Sequence, residues 1–324
     1  MTDLSVLVPS YRRPDDLRRC LEALCCQYLA PVQVIVVARD VDKSSHLVAQ
    51  AFAERLPLEI VKVNEPGVVH ALNTGLLSVK AEIVAITDDD AAPHSDWLAR
   101  IAAHFEADSR IGGVGGRDWV HTPDGTVVDG QRRMVGRVQW FGRIVGNHHL
   151  GVGPAREVDI LKGVNMSFRR TAMEGLRFDT CLRGMGAQVH NEMGFSLAVK
   201  RRGWKLMYDP EVAVDHYPAP RMDFDQRGVF HPDATENAAF NWMWVTQTQL
   251  IGGRRWMSRQ WQVWVGDASA MGYIHFFRAL LRANPLARAK YRAAKRGREL
   301  AISLLRVLNS VQKLPELGGK QIPS

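Results

Sequence analysis

Along the first ninety positions, compact apolar blocks alternate with longer amphipathic ones. Leu4 to Pro9 is a short apolar run ending in Pro and Ser, the pattern of a buried strand. From Pro14 to Tyr28, Leu17, Leu21 and Leu24 recur at helical spacing, and Pro14 suits a first helical turn. Val32 to Val37, Leu58 to Val63 and Glu82 to Thr87 repeat the strand pattern. Ser44 to Arg55 and Val68 to Val79 repeat the helical one. This alternation predicts a parallel sheet with helices on both faces. In open sheets of that kind, ligands gather beyond the carboxyl ends of the strands. Pro9-Ser10-Tyr11, Ala38-Arg39-Asp40 and Asp88-Asp89-Asp90 all fall there.

The regularity then loosens. Ser95 to Ala107 reads as helix and Ile111 to Val120 as strand. Residues 121–160, rich in Gly, Arg and His, read as a long loop region. Leu161 to Phe168 is a strand and Glu192 to Arg202 a helix with a basic end, closed by Gly203. Lys205 to Tyr208 and Val212 to Val214 read as short strands. Past Pro218 the composition shifts. Trp242, Trp244, Trp256, Trp261 and Trp264 crowd together, and beyond Gly272 the pattern is helical and basic. The division expected is a first region over 1–218, regular to about 110 and less regular from about 111. A mostly helical extension fills 219–324.

Charge sharpens that division. The formal net charge of the 324-residue chain is +8. Between Leu250 and Lys313, thirteen Lys and Arg stand against Asp267 and Glu299 alone, so the excess lies in the tail. A basic tail points to an anionic surface, or to a solvated helical face. Cys20, Cys25, Cys26 and Cys181 form no C-x-x-C pair, which argues against a zinc site or a disulfide framework and for reduced, cytosolic thiols. The N-terminus carries no secretory pattern, and no apolar run is long enough to span a bilayer. The expected location is cytoplasmic, with the tail a candidate contact to the inner membrane face.

Three consecutive aspartates at a strand end repel one another unless a cation neutralises them. Asp88 and Asp90 share a face if the backbone stays extended, and two carboxylates near diphosphate oxygens suit Mg²⁺ or Mn²⁺. An acidic turn is the plainer reading of that triplet taken alone. His216, after a short strand, could add an imidazole to a Mn²⁺ site, although a lone His is more often structural. Glu192 heads a helix, where a carboxylate caps or acts as a general base.

Taken together, these segments resemble a family 2 glycosyltransferase with the GT-A fold. The likeness covers about residues 3–218. It rests on Ser5 to Arg13, Pro66-Gly67 through Ala71-Leu72-Asn73-Thr74-Gly75-Leu76, and Ile86 through Asp90 to Pro93 and Trp97-Leu98. Gly163-Val164-Asn165-Met166-Ser167-Phe168-Arg169-Arg170 and Glu192 through Trp204 to Pro210 continue it, all in the family's order. The fold implied is a Rossmann-like mixed sheet flanked by helices, a catalytic domain over 1–218 with a nucleotide-binding half at about 1–110 and an acceptor half at about 111–218. The activity implied is metal-dependent, inverting transfer of a sugar from a nucleotide-diphosphate donor, UDP-sugar by default. The acceptor would be a hydroxyl of a glycan or lipid-linked glycan. The resemblance places Pro9, Tyr11, Arg13, Asp40, Asn73, Asp88 and Asp89 around the donor nucleotide. It puts Asp90 and His216 at the Mn²⁺ or Mg²⁺ ion, and Gly163, Asn165 and Trp119 on the acceptor side. Glu192 becomes the base. The chain departs from the family pattern at Asn191, where an acid is common, and in the turn Ala38-Arg39-Asp40-Val41-Asp42, which leaves two aspartates as alternatives.

Other functions fit less well. A nucleotidyltransferase would carry a Gly-rich loop after the first strand, and Pro9 to Arg13 has no glycine. A silent carbohydrate-binding scaffold would not need Asp88, Asp90, Glu192 and His216. No nucleic-acid-binding motif accompanies the basic tail. The aromatic tail has three readings: a cover over the catalytic region, an interfacial platform for a membrane, or a surface for homo-oligomerisation.

Overall fold

The structure is a computed structural model, described here for residues 2–221, 224–226 and 228–311. Lys313, the expected end of the basic tail, lies outside the described residues. The element order begins β1 (Leu4–Ser10), α1 (Pro14–Cys25), β2 (Gln33–Arg39), α2 (Lys43–Ala51), β3 (Leu58–Val63) and α3 (Val68–Leu76). It continues β4 (Ile83–Ile86), β5 (Ala91–Pro93), α4 (Trp97–Ala107), β6 (Ile111–Val120), β7 (Arg137–Val138), β8 (Ile144–Val145) and β9 (Arg156–Val158). It closes with β10 (Met166–Arg169), α5 (Asn191–Arg201), β11 (Lys205–His216), α6 (Pro232–Gln249), α7 (Gly252–Trp264), α8 (Tyr273–Leu281) and α9 (Ala287–Val311).

A nine-stranded sheet runs in the order β3-β2-β1-β4-β10-β6-β11-β5, with β9 paired to β11. The alternating first half forms the expected parallel strands: β1 pairs with β2 and β4, and β2 with β3. The sheet as a whole is mixed, because β10 inserts antiparallel between β4 and β6. Successive strand residues point to opposite faces. Leu7, Ile35 and Val37 therefore join one core, while Val6, Val8, Val34 and Val36 join the other. Leu17, Leu21 and Leu24 of α1 and Trp97, Leu98, Ile101 and Phe105 of α4 fill the second core. Helices α3, α5 and α6 fill the first. Helix α3 lies close on the sheet because Gly75 has no side chain. A Cβ there would stand 2.3 Å from Leu7 Cδ1 and 2.7 Å from Val37 Cγ2.

Two expectations are corrected. The two short strands expected after Gly203 are one strand, β11, whose register against β6 shifts between Asp209 and Val214. Pro210 lies in that break and has no N–H for a ladder. The 121–160 stretch is also no open loop. It forms the β7–β8 hairpin and the edge strand β9, with Val135, Val138 and Val158 buried. Tyr208 donates its hydroxyl to the His148 carbonyl at 2.7 Å, and His148 Nε2 lies 3.0 Å from the Ile160 carbonyl, pinning the segment down.

The tail splits. Phe240, Trp242, Met243, Trp244 and Val245 of α6 lie in the same core as the sheet and α5, and α9 packs along α6 through Ala294 and Ala301. The outward faces of α7 and α8 stay exposed. No described helix is long and apolar enough to cross a membrane.

Candidate active site

The carboxyl ends of β1, β2 and β4 open onto a cleft of about 910 Å³. Its walls include Pro9, Tyr11, Arg13, Asp88, Asp89, Asp90, Gly163, Glu192 and His216, so nine of the expected residues meet in one place. Arg39, Lys162 and Arg221 join them. The floor is apolar, with Val63, Ala71, Leu72 and Met166. A mostly apolar cavity with a few convergent polar groups is the usual form of a small-ligand site.

Each aspartate of the triplet has a different setting. Asp89 is buried and accepts from the Ser10 hydroxyl at 2.8 Å and from Arg13 Nη1 at 3.1 Å. Burial raises its pKa to about 7, opposed by Arg13 and helped by Asp90 and Asp88. Burial works against the Arg13 charge too, but Asp89 and Asp90 outweigh it and hold its pKa above the usual value. Arg13 also donates to the Pro220 carbonyl, tying the chain after β11 to the end of β1. Asp90 accepts from the Ala219 N–H through Oδ2 at 2.9 Å, while Oδ1 is buried without a hydrogen bond.

Opposite Asp90 Oδ1, at 3.5 Å, stands His216 Nε2, likewise buried and without a hydrogen bond. The other ring nitrogen, Nδ1, lies 3.3 Å from Asp118 Oδ2. An ionised carboxylate only accepts, so Nδ1 carries a proton, and in the neutral ring the Nε2 lone pair then faces Asp90. Asp118 is fully buried at the end of β6 and also accepts from Lys162 Nζ. Burial would raise its pKa, but His216 and Lys162 outweigh that and lower it. Two acceptors that face each other in a buried setting suit a shared cation. Asp90 and His216 thus fit a hard or borderline divalent ion. Among the described residues no group of three or more His, Cys, Asp or Glu converges as a self-contained metal cage. An ion there would complete its shell with ligand oxygens.

Glu192 reaches the cleft from the first turn of α5. The departure at Asn191 has a local reason. Its amide donates to the carbonyls of Ala187 and Gln188, which a carboxylate could not do. The preceding segment is clamped from the tail, where Asn241 on α6 donates to the Arg183 and Val189 carbonyls and accepts from the Arg183 N–H. Gln188 reaches across to accept from the Val69 N–H at the start of α3, where Gly67 (φ 108°) leaves room for its side chain.

Four expected residues do not line the cleft. Asp40 is exposed, and Arg39 lines the wall instead, 5.9 Å from the Tyr11 ring. The alternative, Asp42, caps α2 by accepting from Ser44, Ser45 and the Arg12 N–H, hydrogen bonds that lower its pKa against the effect of burial. Asn73 exchanges hydrogen bonds with the Phe178 backbone. Asn165 accepts from Trp97 Nε1 and donates to the Arg117 and Val212 carbonyls. Trp119 stacks with Arg117 at 3.6 Å, outside the cleft. Sequence reasoning passed over Arg39, Lys162 and Asp118. The first two adjoin recognised turns. Asp118 sits within a strand with no motif around it.

The family model described as "Glycosyltransferase like family 2" matches residues 2–230. The chain belongs to this glycosyltransferase family. Glycosyltransferase AglE of Haloferax volcanii is 30% identical over 101 residues, which is 30% of this chain and 33% of that protein. Chondroitin synthase of Escherichia coli is 28% identical over 129 residues, 39% of this chain and 19% of the relative. The chain therefore matches less than half the length of these two curated relatives. Among solved structures, the mannosyltransferase PcManGT of Pyrobaculum calidifontis, in complex with GDP-Man and Mn²⁺, aligns with TM-score 0.55 and 18% identity over 98% of this chain and 90% of that one. S. aureus TarS 1-349, in complex with UDP-GlcNAc, aligns with TM-score 0.58 and 13% identity over 94% and 92%. At such identities these likenesses speak for the fold. The chain has the GT-A architecture, with its cleft beyond the carboxyl ends of the strands, where open α/β sheets bind ligands.

Proposed function

We propose that this transferase moves a sugar from a nucleotide-diphosphate donor to a hydroxyl of a glycan or lipid-linked acceptor, with inversion, using Mn²⁺ or Mg²⁺. The observation that carries the reading is the facing pair Asp90 Oδ1 and His216 Nε2, buried, unpartnered and 3.5 Å apart in the cleft that Glu192 also lines. The donor nucleotide lies between Pro9, Tyr11 and Arg39, and Arg13 and Lys162 supply positive charge toward the diphosphate. A UDP-sugar is favoured, in keeping with the UDP-GlcNAc complex of TarS; the GDP-Man complex of PcManGT makes GDP the main competitor.

Asp90 and His216 would hold the ion, which as a Lewis acid supplies charge stabilisation to the leaving diphosphate. Glu192 takes the proton of the acceptor hydroxyl as that oxygen bonds the anomeric carbon and the bond to the diphosphate breaks. Attack from the face opposite the leaving group inverts the centre. Calorimetric titration of UDP, GDP and dTDP, each with and without Mn²⁺, into wild type and Asp90→Ala tests this. One nucleotide should bind tightly in a metal-dependent way, and Asp90→Ala should remove that dependence. Binding of none with metal present removes the basis of the proposal.

A further inference from the structure

The apolar side chains of the tail divide by exposure. Those of α6 are buried, whereas Trp256 and Trp264 on α7 are 61% and 56% exposed, and Phe277 and Leu281 on α8 are 59% and 88% exposed. Tyr273, Ile274, Phe277 and Leu281 recur at three- and four-residue steps, so they share one face of α8, away from buried Ala279. The Trp264 and Tyr273 rings lie 5.2 Å apart, which makes the outer faces of α7 and α8 continuous. Soluble surfaces rarely gather so many large apolar groups without a partner.

The charge around this face is predominantly positive. Arg255, Arg278, Arg282 and Arg288 are exposed on these helices and at the start of α9. From Leu250 to Arg298 the sole acidic residue is Asp267. Its Oδ1 accepts from the N–H groups of Ser269 and Ala270 and from the Ser269 hydroxyl. We propose that the α7–α8 face docks on the surface of an anionic phospholipid bilayer. Aromatic rings and leucines would enter the headgroup level, and the guanidinium groups would meet lipid phosphates. A second copy is a poorer occupant, because a two-fold contact would set this positive surface against itself. The inference rests on this surface and not on the chemistry of the cleft.

Co-sedimentation tests it, with the full chain and vesicles of phosphatidylcholine alone or mixed with phosphatidylglycerol. Binding is expected to the mixed vesicles only and to weaken with salt. Phe277→Glu combined with Leu281→Glu should abolish it. Arg278→Ser and Arg282→Ser should each weaken it about fivefold. All four positions are exposed, so the variants should keep the wild-type melting temperature and nucleotide titration. Three outcomes overturn the proposal: no binding to either vesicle, equal binding to both, or light scattering showing a dimer that Leu281→Glu dissociates. Vesicle binding without nucleotide binding would instead sink the transferase reading and leave this one standing.

Discussion

His216 carries more of the site than its place in the sequence suggests. Its Nδ1 is held by buried Asp118, which also anchors Lys162, so one carboxylate orients two groups of the cleft. Partners of this kind fix ring tautomer and direction, and losing them typically costs 10–100-fold in metal affinity. Asp118→Asn keeps the shape but can present a donor to Nδ1. We expect it to weaken Mn²⁺-dependent nucleotide binding about 10- to 100-fold by calorimetry. Unchanged affinity would show that Asp118 serves packing alone. Glu192→Gln is expected to behave in the opposite way. Nucleotide affinity should hold within a factor of about two, while kcat falls roughly 10²- to 10⁴-fold, the usual share of a general base. A loss of affinity with kcat retained would remove Glu192 from the chemistry.

Among the elements, the 121–160 segment is the least legible. Its apolar residues are sparse, yet it packs under β11 through Tyr208 and His148. Burial lowers the His148 pKa to about 4, below the ordinary value near 6.5. As pH falls below 6.5 the unfolded chain takes up a proton that the folded chain refuses. Stability is therefore full above 6.5 and declines toward pH 4, by up to about 3 kcal/mol from this residue. His148→Gln keeps a donor for the Ile160 carbonyl and removes the titration. The difference between variant and wild-type unfolding free energies, followed by urea denaturation from pH 7.5 to 4.5, should shift in favour of the variant as pH drops. A flat difference would mean that His148 is protonated in the folded protein. The first three strand–helix pairs, by contrast, were legible in kind and order, with the helices ending three to four residues earlier than expected, because buried parallel strands and amphipathic helices leave unbroken periodic signals.

For the whole molecule, the tail is structural before it is anything else. Helix α6 buries Trp242, Met243 and Trp244 in the core shared with the sheet, and such side chains contribute roughly 1.5–3 kcal/mol each. Asn241 also clamps the segment that delivers Glu192. A chain cut after residue 231 should lose cooperative thermal unfolding and nucleotide binding together. A well-folded, nucleotide-binding 1–231 fragment would restore the independent catalytic region that the composition shift near Pro218 suggested.

Read alone, the sequence determined the strand–helix alternation, the placing of Asp88, Asp89 and Asp90 at a strand end, and the order of segments that marks the family. These are local properties, set by periodicity and by the residues that begin and end each element. The tertiary structure alone decided which polar side chains share the cleft. Asp40, Asn73, Asn165 and Trp119 do not line the cleft, and the two asparagines bind nearby backbone instead. Asp118 backs the cleft from behind because β11 pairs with β6, bringing the His216 ring beside it across 98 residues. Register between distant strands leaves no periodic trace in either one, so that part of the site exists only once the sheet is assembled.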